Sequence, residues 1–93
     1  MASPDITVHH RPEARRYEAN VDGEVAVAEY ELVGNDLIFT HTFVPPALRG
    51  RGIAEVIVRA ALDDARAQGR RIVPRCSYVA RFVARHPEYS SSR

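Results

Sequence analysis

The chain has 93 residues, 45% of them hydrophobic and 27% charged, so it is long enough for one modest hydrophobic core and too short for two. Its single cysteine, Cys76, excludes an internal disulfide and a multi-cysteine zinc site, and the four histidines lack a metal-site spacing. The first ten residues lack a signal-peptide pattern and no stretch approaches membrane-spanning length, so we expect a soluble, cytoplasmic protein without membrane association.

The net charge of +1 conceals an uneven distribution of charge along the chain. Residues 1–46 contain three arginines and eight acidic residues, whereas residues 47–93 contain ten arginines and four acidic residues. An anionic partner is therefore expected at the second half. All thirteen basic residues are arginines, and each guanidinium can make forked contacts to phosphate.

The first half of the chain predicts a meander of four antiparallel β-strands. Alternating and β-branched residues indicate strands at Ile6–His10, Arg16–Val21, Glu24–Val33 and Leu37–Val44. The pair Asp22–Gly23 predicts a tight hairpin turn between the second and third strands. The fourth strand is apolar on both faces, which indicates a central strand covered on both sides.

The second half predicts a helix, a strand and a second helix. From Gly52 or Ile53 the hydrophobic period becomes helical, and Gly69 is placed to terminate that helix. Its predicted apolar face consists of Ile53, Val56, Ile57, Ala60 and Ala61. A short strand is predicted at Arg70–Pro74, after a tight connection.

The last helix is expected to begin with Ser77 as its N-cap and to stop at Pro87. Its apolar face consists of Val79, Phe82 and Val83, and residues 90–93 are expected to be a frayed tail. The order is therefore β-β-β-β-α-β-α, an α+β fold in which the fifth strand lies parallel beside the meander. We expect one domain over residues 1–93.

The segment RGRGIA, Arg49–Ala54, stands between a buried strand and the start of a helix. Arginine and glycine are poor structural choices there, because helices prefer Ser, Thr, Asp or Asn as caps and their first turn is already positive. The first backbone N–H groups of a helix lack intrahelical partners, glycine allows a phosphate to approach them, and arginine adds charge-assisted hydrogen bonds. The segment therefore predicts an anion site, and we favour a pyrophosphate.

RGRGIA also resembles the Arg/Gln-x-x-Gly-x-Gly/Ala signature of the GNAT N-acetyltransferase superfamily, with Arg49, Gly52 and Ala54 at the defining positions. The segments HTFVPPALRGRGIA and IVPRCSYVARFVARHPEY resemble its small single-domain branch, and the resemblance covers residues 37–89. It implies a minimal GNAT-like domain that binds acetyl-coenzyme A. The implied cofactor-binding residues are Phe43, Val44, Arg49, Gly50, Arg51, Gly52, Ile53 and Ala54.

The chain departs from full-length members of that superfamily on the acceptor side. Those enzymes place two helices between their first two strands, whereas His9–Arg16 offers only eight residues here. The cofactor half of the fold is thus kept and the acceptor half is reduced. We expect an open acceptor groove that takes a small amine or a peptide.

Three side chains are candidates for the chemistry, each with a plainer structural role as the alternative. Cys76 lies where a helix start and Arg75 can lower a thiol pKa, and it could accept an acetyl group; otherwise it is a small buried residue. Tyr78 resembles the tyrosine that donates a proton to the departing thiolate in GNAT enzymes; otherwise it packs on the sheet. His41 could deprotonate an amine, or pack on a strand face shared with Leu37, Phe39 and Phe43.

The expected function is an N-acetyltransferase that moves an acetyl group from acetyl-coenzyme A to an amine, directly or through Cys76. A non-catalytic acyl-coenzyme A-binding or regulatory module is the alternative. Nucleic-acid binding is disfavoured, because no aromatic stacking pattern or recognition helix accompanies the arginines. No metal is expected.

Overall fold

The alternating first half of the chain folds into the predicted meander, and its helical second half packs against one face of it. The computed structural model describes residues 6–90. Its strands are β1 (Val8–Arg11), β2 (Arg16–Val21), β3 (Glu24–Val33), β4 (Asp36–Phe43) and β5 (Arg71–Pro74), and its helices are α1 (Ile53–Ala67) and α2 (Ser77–Arg85). The sheet runs β1-β2-β3-β4-β5, antiparallel except for the parallel pair β4–β5. The α+β prediction and its element order are confirmed.

Two connections of the meander are as short as the sequence indicates. Asp22 and Gly23 both have positive φ, 53° and 79°, which is the conformation of the tight turns that match the twist of a hairpin. A single 3-10 turn at Pro12–Ala14 joins β1 to β2. The two helices of a full-length GNAT fold are therefore absent from this connection within the described residues.

Helix α1 is the centre of the core, which lies between the sheet and the two helices. Ile53, Ile57 and Ala61 are buried as predicted. The rest of the predicted face is wrong: Val56 and Ala60 are only half-buried, and Val58, Leu62 and Ala65 are buried in their place. The buried arc is rotated because α1 contacts the sheet on one side and the segment Pro87–Tyr89 on another.

A β-bulge at Thr40 divides β4 into two halves, and the odd-numbered side chains of the two halves point to opposite faces of the sheet. Tyr30 pairs with Phe39 and Glu29 pairs with His41, so Thr40 has no partner on β3. Before the bulge Leu37 and Phe39 point into the core; after it Thr42 points toward the helices, while His41 and Phe43 are exposed. β4 is therefore not covered on both sides, contrary to the prediction. Of the residues predicted to share a face with His41, Phe43 does so, whereas Leu37 and Phe39 do not.

The start of α2 also differs from the prediction. Cys76 is the N-cap residue and Ser77 is the first helical residue, so Ser77 does not cap the helix. The helix ends at Arg85 before Pro87, as expected. Ser90 donates its N–H to the Pro87 carbonyl at 2.9 Å, and the remainder of the predicted frayed tail lies outside the described residues. Neither helix of the described chain is long and apolar enough to cross a membrane.

Candidate functional site

The loop between β4 and α1 is held at both of its ends by ordinary packing and hydrogen bonds. Leu48 is buried in the core, and it fixes the 3-10 turn that follows Pro45. Arg49 Nε donates to the Val44 carbonyl at 2.9 Å, and its guanidinium lies 5.9 Å from the centre of the Phe43 ring. Arg49 therefore ties the loop back to the end of β4.

The first turn of α1 presents free backbone donors. Its N-cap is Gly52, with a left-handed φ of 76°, and no side chain caps it within the described chain. The first backbone bond into the helix, from Val56 N–H to the Gly52 carbonyl at 3.3 Å, leaves the Ile53, Ala54 and Glu55 N–H groups without intrahelical acceptors. A left-handed N-cap suits glycine, and it offers no side-chain oxygen that could compete with an incoming anion.

A pocket of about 210 Å³ opens at this helix end. Six of the eight predicted cofactor-binding residues line it: Val44, Arg49, Gly50, Gly52, Ile53 and Ala54. Tyr78 of α2 lines it as well, together with Leu48 and Glu55, which the sequence reasoning did not single out. Phe43 lies under Arg49, and Arg51 lines a groove along the outer side of α1.

Beside this pocket, β4 and β5 separate. Their pairing covers only Asp36–Phe39 against Arg71–Pro74, and the N–H of Cys76 makes a last bond to the Phe39 carbonyl at 2.8 Å. Past that bond β4 continues to Phe43 paired, among the described strands, with β3 only, while the segment after β5 turns into α2. Across the gap Thr42 Oγ1 lies 3.5 Å from Cys76 Sγ.

The surroundings of the Cys76 thiol lower its pKa. Burial of the sulfur raises its pKa, but the hydrogen bond from Thr42 and the nearby backbone amides of Val79 and Tyr78 outweigh burial, so the net pKa is lowered. Neither amide makes a full side-chain capping bond to the sulfur. The half-buried sulfur thus lies at a helix start, with a hydroxyl that can stabilise its anion.

Tyr78 has the opposite tendency. Burial and then the negative charge of Glu55 raise its pKa, and Arg85 and Arg81 offset this only in part. Its phenol is protonated at neutral pH, as an unperturbed tyrosine is, so it has a proton to donate, while the raised pKa makes it a weaker acid.

His41 lies apart from the other candidates. It is exposed, and its ring stacks 6.5 Å from that of Phe43 on the sheet face that neither helix covers. The structure thus groups Cys76 and Tyr78 at the start of α2, near the loop, and leaves His41 on the opposite face. Thr42 was missed because only the bulge turns it toward Cys76.

Three kinds of comparison relate this chain to known proteins. Residues 16–92 match the family model described as GCN5-related N-acetyl-transferase. Protein NATD1 of Bos taurus is 38% identical over 85 residues, covering 88% of this chain and 75% of that protein, and Protein NATD1 of Xenopus tropicalis is 34% identical over 88 residues, covering 91% and 81%. The NMR solution structure of a GCN5-like protein from Staphylococcus aureus superposes with a TM-score of 0.68 at 20% identity, over 98% of this chain and 88% of that one; this similarity concerns the fold.

Because Cys76 is the only cysteine, alkylation of the whole protein by iodoacetamide reports its pKa. We expect the pH dependence of the alkylation rate to give a pKa below that of an ordinary thiol. Thr42→Val removes the hydroxyl and should raise this pKa, slowing alkylation at pH 7 by about fivefold, which corresponds to one hydrogen bond of about 1 kcal/mol.

The matched control is Thr40→Val, which removes the exposed hydroxyl bonded to the Glu29 carbonyl. This control should alkylate like the wild type. Equal rates for the wild type and Thr42→Val across the pH range would contradict the role given to Thr42.

Proposed function

This chain belongs to the GCN5-related N-acetyltransferase family, and we propose that it binds acetyl-coenzyme A and transfers the acetyl group to an amine. The observation that carries the proposal is the uncapped start of α1, with its left-handed Gly52 N-cap, at the mouth of a pocket. Amides without intrahelical acceptors and the positive end of the helix dipole fit a pyrophosphate.

In this proposal the residues from Arg51 to Ala54 bind the pyrophosphate through their backbone, and Arg49 keeps the loop against β4. The half of β4 that does not pair with β5 borders the gap that leads to Cys76 and Tyr78. Acetyl-coenzyme A supplies an acyl group activated as a thioester. A backbone N–H near Phe43–Val44 stabilises the negative charge that develops on the carbonyl oxygen.

Two routes remain for the acyl group. In the direct route a neutral amine attacks the thioester carbonyl, the carbon–sulfur bond breaks, and Tyr78 donates its proton to the coenzyme A thiolate that leaves. The proton that the nitrogen loses as the amide forms passes through solvent and restores the Tyr78 phenol.

In the two-step route the Cys76 thiolate attacks the thioester carbonyl and the coenzyme A thiolate leaves. The amine then attacks the acetyl-Cys76 thioester, the Cys76 thiolate leaves, and the proton lost by the nitrogen passes to solvent. The lowered pKa of Cys76 supports the second route, and the place of Tyr78 in the lining of the pocket supports the first.

A non-catalytic acyl-coenzyme A-binding module is the second candidate. The position of His41 favours it, because the one histidine considered as an amine base lies on the sheet face away from the pocket.

In the enzymatic proposal the acceptor is an amine, and the single 3-10 turn between β1 and β2 leaves room for a peptide end as well as a small amine.

Replacing Gly52 by Val tests the binding site. The valine puts a branched side chain at a φ of 76° beside the free amides, so coenzyme A affinity measured by calorimetry should fall more than about tenfold. Gly34→Val is the control, because it introduces the same residue at a φ of 59° in the β3–β4 turn. Unchanged affinity in Gly52→Val would place the cofactor elsewhere, and equal losses in both variants would assign the effect to backbone strain.

Intact-mass spectrometry separates the routes from each other and from the binding module. If Cys76 carries the acetyl group, acetyl-coenzyme A alone adds one acetyl that hydroxylamine removes, and Cys76→Ala neither labels nor turns over while still binding coenzyme A. Full activity of Cys76→Ala assigns the reaction to the direct route. Coenzyme A binding without acetylation of any amine, polyamine or peptide N-terminus by the wild type establishes the binding module instead.

A further inference from the structure

The two arginines of the loop have different partners. Arg49 is bound to the Val44 carbonyl and lines the pocket. Arg51 points instead to the β2–β3 turn, where its Nη1 lies 3.1 Å from Asp22 Oδ2. The pocket is lined by the residues on both sides of Arg51, Gly50 and Gly52, but not by Arg51.

The partner of Arg51 is held in place by a stiff element. Asp22 and Gly23 form the two-residue turn of the β2–β3 hairpin, both at positive φ. The strands on either side pair continuously from Arg16–Glu29 to Val21–Glu24. The carboxylate is therefore presented to the loop from a fixed position, although 29 residues separate it from Arg51 in the sequence.

Breaking the Arg51–Asp22 ion pair costs little free energy. The side chains of Arg51 and Asp22 are 48% and 69% exposed, and exposed pairs of this kind contribute little to stability. A pyrophosphate carries more negative charge than one carboxylate and accepts forked contacts from a guanidinium. A phosphate-bearing ligand at the helix start can thus replace Asp22 as the ion-pair partner of Arg51.

We infer that Asp22 is a competitor for Arg51, which holds this arginine away from the anion pocket and lowers the affinity of the loop for phosphate-bearing ligands. This inference rests on the proposed function. It makes Asp22 an affinity-determining residue outside the loop, with Arg51 released when the pyrophosphate binds.

The test is a double-mutant cycle with coenzyme A as the probe and calorimetry as the readout. Asp22→Asn suits this turn, because asparagine tolerates positive φ and Asn-Gly is a preferred sequence for such hairpins. We expect it to tighten coenzyme A binding about two- to fivefold, the range for an exposed ion pair, and to do so less at high salt. In an Arg51→Gln background the same substitution should have no effect.

Glu31→Gln is the matched control. It removes one negative charge from another exposed ion pair of 3.1 Å, with Arg15, which is not in the loop. Its affinity for coenzyme A should equal that of the wild type.

Dephospho-coenzyme A should show the same gain in affinity on Asp22→Asn, because Arg51 is expected to bind the pyrophosphate and not the 3′-phosphate.

The outcomes are distinguishable. Wild-type binding with no gain in Asp22→Asn overturns this inference and leaves the proposed function standing. A gain in affinity that persists in the Arg51→Gln background also overturns this inference. The negative charge of Asp22 would then act on the ligand directly and not through Arg51. If neither the wild type nor Asp22→Asn binds coenzyme A, both this inference and the proposed function are overturned.

Discussion

The start of α1 carries backbone amides without intrahelical acceptors, and the rest of the candidate site is arranged around that fact. A helix end of this kind is costly when it is buried and useful when an anion can reach it. Gly52 permits the left-handed N-cap and adds no side chain, while buried Leu48 and Ile53 fix the loop and the helix on either side. The amides are thus held in position by packing, without a ligand.

The bulge at Thr40 is the second constraint, because it decides which side chains meet across the gap between β4 and α2. One extra residue turns Thr42 toward Cys76 and sends His41 and Phe43 to the uncovered sheet face. The hydroxyl of Thr42 then favours the thiolate of Cys76. A change in strand register of one residue therefore decides which side chain of β4 lies beside the Cys76 thiol.

The sequence predicted the strands, the helices and most of the pocket, because periodicity and turn residues are local signals. Arg16–Val21 and Glu24–Val33 have the predicted bounds, and Asp22–Gly23 turns as expected. The face of the sheet or helix to which each side chain points was less predictable. The bulge leaves no mark in the residues of β4, so the face of His41 was assigned wrongly, and the buried arc of α1 depends on segments that are distant in sequence. The Arg51–Asp22 contact is equally non-local.

The central claim, that a pyrophosphate binds at the uncapped start of α1, is tested most directly by titrating 15N-labelled protein with coenzyme A and following backbone amide shifts by NMR. The account predicts that the largest saturable shifts belong to the amides of Ile53 and Ala54, since these donors of the proposed binding segment lack intrahelical acceptors and gain one from the ligand. Unmoved amides at those positions, with shifts confined to the arginine-bearing outer faces of the helices, would contradict it.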